Sequence, residues 1–402
     1  MVELLIERKY DVTILHTGTH KPLQKMCPWY YDNSVKIVYS NPFKVEILKK
    51  DMTSLLGDDF YYDLVLVSYG KPADIAKYFS EGTRRKFGHW ISLHGSVVYD
   101  SWGNGVLNSV DGIQVGPITE ESPLLTPDGK FNSKPNSWNP KLDRMILTEQ
   151  SLREVVPDAT IMRVGGVYGP YDLFPNMYTA VRRIVDKRPF IILPERLAGV
   201  FGSGWCYSRN QAEMIILAID QPNKSKGETF NVAEDRTVTV RQWVQICADA
   251  LGSDIEIIEM PYEIAVPGYP IVGGTGGVEQ PYSSNLKAKK LLGYEDVVHV
   301  VDAISETAKY LAENPPDDVV ISNLQDPCDY ENEDKLVELW RKRDYKACME
   351  MKWPKPYGFG HFYYGPKYNP GDGDVAGDME AKYAGKYDPF KLKRVTTSSS
   401  KL

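Results

Sequence analysis

What the chain lacks sets the first limits. No stretch of its 402 residues stays apolar long enough to span a bilayer, so no membrane partner is expected. There is no excess of positive charge. Lys and Arg total 47 against 54 Asp and Glu, a formal net charge of -7, and a general nucleic-acid binder needs a basic face. The five cysteines, Cys27, Cys206, Cys247, Cys328 and Cys348, are odd in number and scattered. They form no CxxC or metal-ligand spacing, so reduced thiols in a reducing compartment and no metal site are expected. A secretory leader is not expected either, because MVELLIERKY carries charges through what reads as a helix. The remaining composition is that of an ordinary globular protein with a raised tyrosine content, 26 residues. The length admits one large domain or two to three smaller ones.

Periodicity supplies the architecture. Met1 to Tyr10 reads as the end of an amphipathic helix, with Val2, Leu5 and Ile6 on one face. Asp11–His16, Val45–Leu48, Asp63–Val67, His89–Ser92 and Thr160–Val164 read as strands, and helices are expected from Pro72 and over Trp138–Val155. Strands alternating with helices at this spacing imply an α/β fold with a doubly wound parallel sheet over residues 1–195. From residue 196 to 313 the pattern is mixed and reads as a smaller α+β lobe with elements returning to the sheet. It holds helices at Asn210–Ile219, Asn285–Leu292 and Val300–Glu313, and strands at Thr229–Ala233 and Asp254–Glu259. Thr239 and Gln242 fit a capping box opening a helix to Leu251. Asn314-Pro-Pro316 marks a boundary to a C-terminal extension, 314–402. This carries a short helix over Glu333–Lys342 and, from Trp353, a Gly-, Pro- and Tyr-rich arm expected to wrap or stay partly disordered.

Residues 160–195 stand out within this order. The strand at Thr160 runs into Gly165-Gly166 and a Tyr168-Gly169-Pro170 turn. A helix from Pro175 follows, with Met177, Val181, Ile184 and Val185 on one face and Arg182 and Arg183 pointing away. Ligand crevices of open α/β sheets lie at the carboxyl ends of strands, so a site edge is expected here. A plain strand-turn-helix connection without a ligand is the other reading.

Four stretches together resemble the extended short-chain dehydrogenase/reductase superfamily, of the NAD-dependent epimerase/dehydratase type. They are Leu4–His16, Ile91–Tyr99, Arg163-Val-Gly-Gly-Val-Tyr-Gly-Pro170, and Phe230–Ala233 with Thr239–Gly252. The resemblance covers residues 1 to 313. It implies a Rossmann-type sheet and a bound NAD or NADP, the choice between them left open. This chain departs from the pattern twice. The opening strand and its Gly-rich pyrophosphate turn have no counterpart, and the sequence is about 15 to 20 residues short of the pattern. The expected sheet therefore lacks its first strand. A shortened version of a longer product is the preferred reading, and a loss of dinucleotide binding the other. The second departure is the absence of Tyr-x-x-x-Lys before the Thr160 strand, where a lysine one turn away lowers the phenol's pKa. The segment reads Ser137-Trp-Asn-Pro-Lys141-Leu-Asp-Arg144. Arg144 would serve as a ribose-binding cation that stays charged and cannot shuttle protons.

Carried onto this sequence, the resemblance makes Ser96, His94, Arg144 and Lys141 the catalytic candidates. Ser96 as a strand-end cap and His94 as a structural histidine are the plain readings. Cofactor candidates are His16, Thr17, Asp51, Ser68, Tyr69, Gly70, Arg144, Val164 and Val167. No carboxylate stands at His16 and Thr17 to take a ribose 2′-hydroxyl, and Asp51 reads equally as a helix or turn cap. Substrate candidates are Gly166, Tyr168, Trp205 and Tyr207, the aromatics reading equally as core.

The expected function is NAD(P)-dependent oxidoreductase, epimerase or dehydratase chemistry on a small hydroxylated or carbonyl metabolite. A catalytically silent relative that binds a metabolite or protein is the alternative. The Tyr-rich arm suggests contact with a second subunit, as in a homodimer, or with its own core. Ser400-Lys401-Leu402 matches a peroxisomal address; without it the chain reads as cytoplasmic.

Overall fold

The first half of the chain alternates helix and strand. Helix α1 (Val2–Glu7), β1 (Thr13–His16), β2 (Lys36–Tyr39), α2 (Val45–Leu56), β3 (Tyr62–Val67), α3 (Pro72–Phe79), β4 (Phe87–Gly95), α4 (Pro140–Val155) and β5 (Thr160–Val164) follow in order. The computed structural model describes residues 1–16, 27–99, 117–124, 140–198, 205–272, 282–316 and 320–357, less 43, 58, 69–70, 83–84, 173–174, 322–323 and 356, and less the side chains of 97, 140–147 and 196–197.

All strand pairings in the named sheets are parallel. β3, β4 and β5 pair in that order, with β9 (Thr229–Val232) returning from the second half to the far side of β5. β1 and β2 form a separate pair. On one face Ile91, Met162 and Phe230 pack against Leu5 and against Met214, Ile215 and Ile216 of α6 (Ser208–Asp220). On the other, Phe87 and Trp90 pack with Leu48 and Met52 of α2, Ile75 and Tyr78 of α3 and Leu152 of α4. Helices on both faces make the sheet doubly wound, as its near-continuous apolar strands require.

The expected strand at Val45–Leu48 is a correction, for that segment opens α2, and the second strand is Lys36–Tyr39. Val45, Leu48, Met52 and Leu56 recur every three to four residues, a period invisible within the four-residue window. Asp51 accordingly lies inside a helix and at no strand end.

The second half builds its own layer. β7 (Phe190–Pro194) pairs in parallel with β10 (Glu256–Met260), and β6 (Val167–Tyr168) with β8 (Cys206–Tyr207). Helices α5 (Tyr178–Val185), α7 (Val240–Ala250) and α9 (Val300–Glu313) pack on them through Val181, Val244 and Ile304. Between α7 and α9 lies α8 (Leu286–Leu292). α7 starts at the expected box: the Gln242 N–H donates to Thr239 Oγ1 at 3.2 Å, and the Thr239 N–H to Gln242 Oε1 at 2.9 Å.

The described part of the C-terminal extension, to Tyr357, packs on this layer; the arm expected beyond it lies outside the described residues. α10 (Tyr330–Arg341) and α11 (Tyr345–Glu350) bury Leu336, Val337 and Cys348 against Phe190, Ile192 and Met260. Arg183, expected to point away from the core, is fully buried and forms ion pairs with Asp326 at 2.5 Å and Glu333 at 2.6 Å. Val185, placed on the apolar face, is half exposed. The carboxylates that reverse this helix face lie about 150 residues downstream, beyond the reach of any local pattern.

A buried histidine ties β4 to β5. Thr160 Oγ1 donates to the Ser225 carbonyl at 2.6 Å, so His89 Nε2, 2.8 Å from the same oxygen, is the donor there. Burial holds the His89 imidazole neutral and lowers its pKa to about 4. Between pH 4 and the unfolded value near 6.5 the unfolded chain binds the extra proton, so stability falls as pH drops through that window. His89→Asn is expected to remove about 1–3 kcal/mol of this acid sensitivity. The check is urea denaturation at pH 5 and pH 8, with the pH difference shrinking in the variant.

Candidate active site

The α4 face of the sheet turns polar over its last turn. β4 and β5 are in register His94 with Arg163, and β5 and β9 are in register Arg163 with Asn231. Three polar side chains therefore stand abreast at the carboxyl ends of three adjacent strands, all buried. Glu149, one turn before Arg153 on α4, closes the group. Its Oε2 lies 2.8 Å from Arg163 Nη2, and its Oε1 lies 3.9 Å from His94 Nδ1. Tyr99, just past β4, links strand to strand: its hydroxyl accepts from Arg163 Nη1 at 2.9 Å and donates to Asn231 Oδ1 at 2.6 Å. The Asn231 backbone N–H donates to Glu120 Oε1 at 2.7 Å.

The electrostatics follow from burial. Desolvation lowers the His94 pKa; Glu149 opposes that and Arg163 adds to it, so the imidazole is neutral. Burial pushes the Tyr99 phenol up to about 12 despite the adjacent guanidinium. Burial works against the charge on Arg163, yet hydrogen bonds and attraction from Glu149 raise its pKa overall and keep it charged. Three buried polar atoms beside this network have no partner among the described residues: His94 Nε2, Ser92 Oγ and Ser96 Oγ. An unpaired buried group costs about 1–3 kcal/mol, and such a cluster at strand ends marks where a polar ligand atom would be received.

A half-buried carboxylate lies where the turn after β5 meets the second half. Glu234 Oε1 accepts from the Tyr168 hydroxyl at 2.9 Å and from the Tyr207 N–H at 3.0 Å. Desolvation pushes its pKa up to about 7.

The structure brings His94 and Ser96 together and sets Val164 at the end of the neighbouring strand. Tyr168 and Tyr207 are buried in the core with Trp243, and Trp205 packs edge-on to Trp243 with ring centroids 4.1 Å apart. A Cβ on Gly166 would lie 3.0 Å from the Trp205 ring, so Gly166 faces that indole and is not open to a ligand from that side. Val167 is partly exposed on the turn. His16 lies apart from this group, its Nε2 2.9 Å from the Tyr30 hydroxyl, which is 3.1 Å from the Tyr39 hydroxyl. Ser68 is exposed just after β3. Lys141 and Arg144 lie on α4, but their side chains fall outside the described residues, as do Thr17, Tyr69, Gly70 and Ser400–Leu402. Glu149, Arg163, Asn231, Tyr99 and Glu234 escaped the reading of the sequence. Arg163 carried a signal, since a charge inside an otherwise apolar strand must find a partner.

Among the described residues no helix is long and apolar enough to cross a membrane, and no group of three His, Cys, Asp or Glu is placed to hold a metal ion. No family model and no curated protein matches the sequence. Solved structures do match in shape. UDP-glucuronic acid 4-epimerase from Bacillus cereus, in complex with NAD, is 14% identical, with a TM-score of 0.54 over 77% of this chain and 94% of its own. UDP-glucose 4-epimerase from Thermotoga maritima, with UDP-glucose, is 17% identical, with a TM-score of 0.54 over 78% and 94%. UDP-glucose 4-epimerase from Bifidobacterium longum, in complex with NAD+ and UDP, is 15% identical, with a TM-score of 0.53 over 78% and 94%. The chain shares its fold with these epimerases. At these identities the likeness is one of fold, and the site must be argued from this chain's own residues.

A dinucleotide fits those residues at one end. The unpartnered His94, Ser92 and Ser96 atoms suit the polar end of a ligand reaching over β4 and β5. At the β1 and β3 end, no Gly-rich turn leads from a strand into a helix among the described residues. α1, of six residues, has no side-chain cap at Met1. The described residues therefore offer no phosphate cradle of the kind a pyrophosphate needs.

Proposed function

We propose that this protein is an NAD(P)-dependent enzyme of the epimerase/dehydratase type, acting on a small hydroxylated or carbonyl metabolite of the nucleotide-sugar class. The observation that carries it is the row His94, Arg163 and Asn231 on one sheet face, with His94 Nε2 and the hydroxyls of Ser92 and Ser96 unpartnered among the described residues. In this reading His94, neutral and buried, and Ser96 hold a substrate oxygen by hydrogen bonds. Arg163 keeps the end of β5 positively charged while Glu149 fixes its orientation. Arg144 and Lys141, on the helix facing the same strand ends, are assigned to the ribose of the cofactor. NAD and NADP remain equivalent candidates, and a homodimer is part of the same proposal.

The second reading, a catalytically silent binding protein, draws on the missing phosphate cradle and on the absence of tyrosine four residues before Lys141 or Arg144. Calorimetric titration with NADH and NADPH, each with and without UDP-glucose, decides between the two. Saturable binding of either nucleotide is the expected result, with UDP-glucose binding weakened in His94→Ala. Failure of both nucleotides under both conditions would overturn the enzyme reading and leave the binding protein.

A further inference from the structure

The unpaired atoms of the candidate site decide which kind of substrate oxygen it can take, and His94 Nε2 is the deciding one. Ser92 and His94 stand on the face of β4 that carries Trp90 lower down, and Ser96 follows just past the strand's end. His94 is 8% exposed, Ser96 2% and Ser92 0%, so none of them can be served by bulk water. Among the described residues the three atoms have no hydrogen-bond partner and do not pair with one another.

A neutral imidazole has a single N–H, and its place follows from what the two nitrogens face. Nδ1 faces Glu149 Oε1 at 3.9 Å. Arg163 donates to both oxygens of Glu149, at 3.2 Å to Oε1 and 2.8 Å to Oε2, so that carboxylate presents only lone pairs to the ring. A lone pair on Nδ1 would oppose Oε1 in a buried site, where such repulsion is strong, whereas a proton there is attracted. The proton therefore sits on Nδ1 and the lone pair on Nε2. Desolvation, which lowers the His94 pKa, keeps the ring from taking a second proton.

We propose that the site takes its substrate at a hydroxyl group, whose O–H donates to His94 Nε2, and rejects a carbonyl or carboxylate at that position. The inference rests on the enzyme reading and deepens it: of the hydroxylated and carbonyl metabolites left open there, it selects the alcohol. The serines do not decide this, since each hydroxyl both donates and accepts and turns to suit. Once the substrate O–H points at Nε2, the oxygen's lone pairs remain for the Ser92 or Ser96 hydroxyl. A carbonyl oxygen has lone pairs alone. It would face the lone pair of Nε2 and leave that buried nitrogen unpaired, weakening binding about tenfold or more.

The test is nitrogen NMR of the full chain labelled in histidine, with the His94 ring assigned through bonds from its backbone. In the protein alone, Nδ1 is expected to carry the proton and Nε2 the lone pair. UDP-glucose is expected to shift the Nε2 resonance in the direction of hydrogen bonding and to leave Nδ1 nearly unchanged. Four analogues each carry fluorine, which does not donate, in place of the glucose hydroxyl at C2, C3, C4 or C6. One of them is expected to abolish the shift and to bind at least about tenfold more weakly by calorimetry. A proton found on Nε2 in the protein alone would overturn the proposal. So would an Nε2 signal that UDP-glucose leaves in place, or one that all four analogues move as UDP-glucose does. The enzyme reading fails separately, on the titration with NADH and NADPH, while the tautomer is read without any nucleotide.

Discussion

Arg183→Ala is expected to cost about 3–5 kcal/mol of stability, the loss that follows when one member of a buried ion-pair network is removed. The guanidinium is fully buried and donates to Asp326 at 2.5 and 3.0 Å and to Glu333 at 2.6 Å, both carboxylates being buried as well. Glu333 also accepts from the Tyr357 hydroxyl at 2.8 Å, and that hydroxyl accepts from the Asp329 N–H at 2.8 Å. One cation therefore pins two points of the C-terminal extension onto α5, with Tyr357 and Asp329 joined through Glu333. Its removal leaves two carboxylates side by side without a counter-charge. Urea denaturation of the variant and the parent measures the deficit. Arg182→Ala, on the exposed side of the same helix, should stay within about 0.5 kcal/mol of the parent. A loss below about 1 kcal/mol for Arg183→Ala would show that the network does not hold the extension.

The contrast between those two neighbouring arginines shows how far the sequence could be read. The strand at β3 declared itself through an unbroken aliphatic run, and α7 through its capping box, because both signals are local. The residues that seat the C-terminal extension are far apart in sequence. Neither Arg183 nor Glu333 carries a mark of burial, and only their meeting in space makes burial tolerable. The same holds for the strand ends. His94 and Ser96 were singled out because Ile91–Tyr99 resembles the family's serine-containing strand end. Asn231 and Glu149 were missed because an asparagine in a strand and a glutamate in a helix are commonplace until Tyr99 and Arg163 are placed beside them. Asp51 failed for the opposite reason, since four residues of α2 look like a strand when the longer period is not sampled.

Glu149→Ala tests the core of the candidate site, and its expected effect is as large. Arg163 would lose its ion-pair partner in a buried position, at a cost of about 3–5 kcal/mol. The double variant Glu149→Gln with Arg163→Met should recover part of that loss, because both charges leave together and the methionine keeps most of the volume. A thermodynamic cycle over the two single variants and the double variant measures the coupling. Its value should exceed 1 kcal/mol if the pair is the organising contact. Glu149→Gln also reports on His94. The carboxylate, 3.9 Å from Nδ1, opposes the drop that burial and Arg163 impose, so without it the imidazole pKa should fall further. Proton NMR of the His94 ring across pH 4 to 8 reads this directly. A rise in the Glu149→Gln variant, or a ring that titrates near its ordinary value in the parent, would mean that His94 is open to water and not held neutral beneath a ligand. The geometry requires the opposite, because the same Glu149 that keeps Arg163 charged leaves His94 Nε2 as a neutral, buried atom facing no partner among the described residues.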